Sequence, residues 1–156
     1  MKRIFIILTM LMTLSIVSYA QKATTTKPSV KELVNVVLST NPVSNIKKIA
    51  AQNGFSPMKA TVSGATRYAF SKAVKGGKNV LVYDKYPNKK TVYNTTASSA
   101  VVRSWESQIK AMGYNFDNHF IEGSDEIWLY TKAGYPSIMI MHNSGGYLID
   151  ISTSTY

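Results

Sequence analysis

The chain has 156 residues, with 18 Lys and Arg against 8 Asp and Glu and a formal net charge of +10 at pH 7. That length suits one domain able to bury a core unaided. Cysteine is absent, which excludes disulfides, thiol catalysis and thiolate metal sites, so stability must come from packing.

Residues 1–20 have the pattern of a cleavable secretory signal peptide. Lys2 and Arg3 form a basic start, Ile4 through Val17 an apolar run broken only by Thr and Ser, and small Ser18 and Ala20 occupy the positions a signal peptidase reads. The run falls short of the roughly 20 apolar residues of a spanning helix, so cleavage near Ala20 is expected and no stable membrane insertion after it. No cysteine follows the run, which excludes lipid attachment at a processed N-terminal Cys. The product is expected in the periplasm or outside the cell. Residues 21–28 have no apolar period and read as a flexible leader, followed by one globular domain over 29–156.

Ser29 and Glu32 stand in capping-box spacing, and Val30, Leu33, Val34, Val37 and Leu38 follow on one helical stripe. Asn41-Pro42 breaks the pattern and starts a second helix, because Pro disfavours helical geometry before it and suits a first turn. That helix carries Ile46, Ile49 and Ala50 to a stop at Gly54, a residue suited to a left-handed cap. Alternating runs then predict strands over 58–63, 66–74, 79–85 and 90–96, with turns at Gly64, Gly76-Gly77 and Pro87-Asn88. A third helix is expected over 99–112, with Val102, Trp105, Ile109 and Met112 on one face, closed by Gly113. Four more strands follow at 117–122, 126–133, 136–142 and 147–153, the last pair joined by Ser144-Gly145-Gly146.

The two halves match in order. Gly54-Phe55 corresponds to Gly113-Tyr114, Gly64 to Gly123, and Tyr68-Ala-Phe70-Ser-Lys72-Ala73 to Trp128-Leu-Tyr130-Thr-Lys132-Ala133, with Val80 and Val82 on Ile138 and Ile140. The expected fold is therefore α+β, made of two tandem repeats over 29–97 and 98–156. Each is a helix plus a four-stranded antiparallel meander, with the helices on one face of the sheet. In this arrangement the chain resembles the tandem-repeat proteins of the beta-lactamase-inhibitor-like kind and, more loosely, exported PepSY-like domains. The resemblance implies a binder that grips a protein partner on an open sheet face. It supplies no contact residues, and the chain lacks the cysteines common in secreted inhibitors of that type.

Alternation nominates the residues of such a face. Ile127, Leu129, Ile138, Ile140, Ile149 and Ile151 make an aliphatic set suited to packing under the third helix. The opposite set, Trp128, Tyr130, Lys132, Met139 and Met141 with Asp150, has the aromatic and methionine content of a partner-binding surface. Tyr68, Phe70 and Lys72 are the related set in the first half, with Tyr83 and Lys85 beyond. There Arg67, Ala69 and Ser71 make a poor core face, which leaves burial of Tyr68 and Phe70 as the alternative.

Catalytic patterns are weak. His119 and His142 are the only histidines, in separate strands and outside any H-E-x-x-H arrangement. Glu122, Asp125 and Glu126 flank a turn, as solvated carboxylates do. No serine stands in a G-x-S-x-G context, and glycines 76, 77, 145 and 146 lie in turns and open no helix, so they do not cradle phosphate. The reading is an exported non-enzymatic binding protein, an inhibitor or immunity-type module for a protein partner, with no catalytic residues, no metal and no cofactor. The alternative is a basic binder of anionic envelope material, meaning glycan, lipid headgroup or extracellular nucleic acid. Lys72, Lys75, Lys78, Lys85, Lys89 and Lys90 would supply that contact, although such lysines also serve to keep strand edges from aggregating.

Overall fold

The computed structural model describes residues 28–153. The expected signal peptide and residues 21–27 of the expected leader lie outside them. Within the described residues the chain forms three helices, α1 Val30–Leu38, α2 Pro42–Gln52 and α3 Ser99–Ala111. It also forms eight strands: β1 Ser56–Met58, β2 Thr66–Val74, β3 Gly77–Lys85, β4 Lys90–Thr96, β5 Asn115–Glu122, β6 Asp125–Thr131, β7 Ser137–Asn143 and β8 Gly146–Ser152. The fold is α+β.

The helix boundaries follow local chemistry. At α1 the Ser29 amide donates to Glu32 Oε2 at 2.7 Å, and the Glu32 amide donates to Ser29 Oγ at 3.3 Å, completing the capping box. The buried stripe is Val30, Leu33, Val34, Val36 and Val37. Leu38, expected on that stripe, is exposed, and Val36 takes its place. Helices α2 and α3 end alike. Phe55 N donates to Ala50 O and Gly54 N to Ala51 O, while Tyr114 N donates to Ile109 O and Gly113 N to Lys110 O. These are the paired bonds of a Schellman ending, and they require the positive φ that Gly54 (73°) and Gly113 (78°) adopt.

All eight strands join one antiparallel sheet in the order β1-β2-β3-β4-β8-β7-β6-β5. The centre is the β4 to β8 ladder, from Thr91 opposite Ser152 to Thr96 opposite Tyr147. The first strand differs from expectation: it is the short Ser56–Met58 in place of 58–63. Pro57, which has no amide hydrogen, is tolerated there because β1 is an edge strand.

One core cluster unites the apolar helix residues with a single alternation class of the sheet. Phe70, Leu81, Tyr83, Val92, Tyr130, Ile138, Ile140, Ile149 and Ile151 belong to it, together with Ile46, Ile49, Val102, Trp105 and Ile109. The ladders place these strand residues in rows, such as Tyr130, Ile138, Ile151, Val92, Tyr83 and Tyr68. This is the core face; its opposite is the outer face.

Candidate interaction surface

The eight nominated residues do not share a face. Trp128 lies opposite Ile140 and Tyr130 opposite Ile138, so both point to the core face, whereas Met139 and Met141 lie opposite Leu129 and Ile127 on the outer face. Tyr130 is only 4% exposed, Phe70 is buried, and half-buried Tyr68 and Trp128 pack against the same cluster. Ile127 and Leu129, expected under α3, are on the outer face with the methionines. The cause is register: the β6 to β7 connection sets an even-with-even pairing, and a one-residue difference in register exchanges every side chain between faces. In the first half the alternative holds, and Tyr68 and Phe70 pack inward, with Tyr68 stacked on Tyr83 at 6.3 Å.

Lys72 and Lys132 serve the helices. Lys72 Nζ donates to the Asn53 carbonyl at 3.0 Å and Lys132 Nζ to the Met112 carbonyl at 2.7 Å. Each ammonium sits at the carbonyl end of a helix, where unsatisfied oxygens and the helix dipole attract a cation. Lys132 also lies 4.1 Å from the ring centre of Tyr135. Beside it the Tyr114 hydroxyl donates to Pro136 O at 3.0 Å, and burial pushes that phenol up to about 12.

The outer face carries a polar band at the centre of the sheet. Arg67 Nε and Nη2 donate to the two oxygens of Asp84 at 2.8 and 2.6 Å, and Asp84 is 1% exposed. The Asp84 hydrogen bond raises the Arg67 pKa, so the guanidinium stays charged and the pair is fully formed. Arg67 lies over the Tyr93 ring, and Thr91 Oγ1 donates to Asp150. These groups satisfy one another.

His119 Nε2 lies 3.1 Å from Glu126 Oε1, and His142 Nδ1 lies 4.0 Å from Glu126 Oε2. The imidazoles stack on Trp128 and Tyr147 respectively. Among the described residues no group of three or more His, Asp or Glu is placed to hold a metal ion.

The most exposed apolar feature was not nominated from the sequence. All eight residues of edge strand β5 are exposed, and Phe116, Phe120 and Ile121 are 56%, 38% and 71% exposed. A bulge at Asp117 shifts the register between Phe116 and Asn118, leaving Phe116 and Ile121 toward the core face and Phe120 toward the outer face. An edge with free backbone groups and uncovered apolar side chains is a template for another strand, and proteins ordinarily blunt it with lysine or proline. Strand β5 has neither, and only the bulge and the carboxylates Asp117 and Glu122 interrupt its edge. That composition was the available signal.

At the other edge a cavity of about 470 Å³ opens under α2, lined by Ala50, Ala51, Phe55, Pro57, Tyr68 and Phe70, with Lys47 at its rim. Charge divides the same way. Residues 56–96 hold eight Lys and Arg and a single carboxylate, whereas residues 115–152 hold five carboxylates and a single lysine.

No helix among the described residues is long and apolar enough to cross a membrane. No protein-family model matches the chain, and no curated protein or solved structure is significantly similar to it.

Proposed function

We propose that the chain is an exported, non-enzymatic binding protein that recognises a protein partner through the β5 edge of its sheet. The observation that carries this reading is an eight-residue edge strand exposed throughout and bearing Phe116, Phe120 and Ile121. Strand addition uses main-chain hydrogen bonds for affinity and side-chain contacts for specificity, and this edge offers an outermost strand with exposed Phe116, Phe120 and Ile121. Cleavage after Ala20 would release the protein into the periplasm or medium.

The scaffold is, on this proposal, two tandem repeats of a helix and a four-stranded meander, with the helices on one face. Support comes from the matching Schellman endings at Gly54 and Gly113 and from Lys72 and Lys132, which return to the carbonyl end of the preceding helix in each half. The central β4 to β8 ladder joins the last strand of each unit.

Replacing Phe116 and Ile121 together by Lys blunts the edge at two exposed positions, the one core contact given up being the edge-on packing of Phe116 against Tyr130 at 5.8 Å. Captured material from an envelope extract should lose its main partner with this variant, while the circular dichroism spectrum stays the same and the melting temperature falls by no more than the lost Phe116–Tyr130 contact explains. Equal capture by the native chain and the variant would remove the β5 reading. The lysine-rich first half favours a second reading, adsorption to an anionic polymer. That binding would survive the β5 substitutions and weaken steeply with salt.

A further inference from the structure

We propose that the partner at the β5 edge is a second copy of this chain, joined head to tail, with β5 of one copy seated against the β1 and β2 edge of the next. This inference rests on the reading of β5 as the recognition edge. Three features of the two outer edges fit together. The first is strand direction: a sheet of eight antiparallel strands has outermost strands of opposite sense, so a copy displaced along the sheet presents β5 antiparallel to β1, where Pro57 donates no bond and the remaining pairing falls to the β2 residues beyond the three-residue β1.

The second is shape. Phe116 and Ile121 stand opposite Tyr130 and Glu126, in the alternation class of the core face. In a continued sheet that is the face on which the α2 cavity opens. Tyr68 and Phe70 line that cavity together with Ala50 and exposed Ala51 of α2, small residues at the positions before the terminal glycine where α3 has Ile109 and Lys110. An uncovered apolar pair on one edge therefore meets an uncovered apolar cavity on the other, and closing them together removes both from water.

The third is charge. Strand β5 and the start of β6 carry Asp117, Glu122, Asp125 and Glu126, whereas residues 56–96 have eight Lys and Arg against one carboxylate and Lys47 is among the residues lining the cavity. Complementary potentials steer such edges together. Pairing β5 with β5 would bring the acidic strands of both copies side by side, so a twofold dimer at this edge is disfavoured. A head-to-tail contact uses two different surfaces, leaves one of each free and therefore grows with concentration.

Sedimentation of the mature chain beginning at Gln21 tests the proposal. Below an ionic strength of about 0.15 M, where screening is weaker, the average mass should rise with concentration, and high salt should return it toward monomer. Two half-blocked chains then define the contact: Phe116→Lys with Ile121→Lys on β5, and Ala51→Glu at the cavity mouth. All three positions are exposed, so folding should be kept, and circular dichroism checks it. Each blocked chain alone should be monomeric, and the mixture should form dimers and nothing larger. A native chain that stays monomeric under all these conditions overturns the proposal, as does an Ala51→Glu chain that still dimerises alone. A monomeric chain that captures a foreign protein through β5 also overturns it and leaves the β5 recognition reading standing.

Discussion

At the residue scale, the lysines give the clearest lesson about what a sequence pattern conceals. Lys72 and Lys132 stand in similar triplets, Ser-Lys-Ala and Thr-Lys-Ala, but what the two ammonium groups do is not visible in a strand pattern. Nothing in that pattern says that a strand lysine will reach a helix carbonyl far along the chain. Because Lys132 is half-buried and donates at 2.7 Å while Lys72 is exposed and donates at 3.0 Å, Lys132 should contribute more. Lys132→Met retains most of the aliphatic stem and loses the charge-assisted bond, so it should lower stability by about 1–2 kcal/mol. Lys72→Met should cost no more than about 1 kcal/mol, the range of a helix-end charge at the surface. Urea unfolding of the two variants measures the difference, and equal costs would mean that burial does not govern these caps.

At the element scale, helices were more legible than sheet faces, for a physical reason. A helix announces itself through local bonds: Ser29 with Glu32 at a start, and Gly54 or Gly113 at a stop. The face of a strand depends on its neighbour, and the neighbour's register depends on the geometry of the connecting turn. The alternation within β6 and within β7 is plain in the sequence, yet joining them in the wrong parity placed Trp128 with Met139 when it stands opposite Ile140. The exposed β5 edge was hidden similarly, since outermost position is a property of the whole sheet order. Trp128→Ala should therefore act on folding. Trp128 is half-buried against the core cluster and stacked on His119, so its loss should cost roughly 2–3 kcal/mol, just below the 3–5 kcal/mol of an enclosed aromatic. Trp105, wholly buried on α3, should reach the upper range. Chemical denaturation of both variants decides this, and an undiminished midpoint for Trp128→Ala would return that side chain to the surface.

At the scale of the whole molecule, the question is whether residues 29–97 and 98–153 behave as two folding units or one. The topology argues for one. Strand β4 is completed on one side by β8, whose paired residues lie 51 to 61 positions further along the chain, from Thr96 with Tyr147 to Thr91 with Ser152. Helix α1 is tied to both halves, because the Val30 amide donates to Gln108 Oε1 on α3 and Lys90 Nζ from β4 donates to the Ser39 carbonyl at the end of α1. Opening either half would expose Val92, Ile149 and Ile151 at the centre of the sheet, so partial unfolding has no cheap boundary at which to stop. The distribution of tryptophan makes this testable without labels, since Trp105 and Trp128 both lie in the second half. Selectively excited tryptophan fluorescence therefore reports the surroundings of α3 and β6, which for Trp105 include Phe55 and Asn94, whereas far-ultraviolet circular dichroism reports helices and strands along the whole described chain. In a cooperative molecule the two denaturation curves should coincide, with the same midpoint and the same slope. A fluorescence transition displaced from the dichroism transition would show that the halves separate before they unfold, and that the β4 to β8 ladder is a junction between units and not the middle of one core.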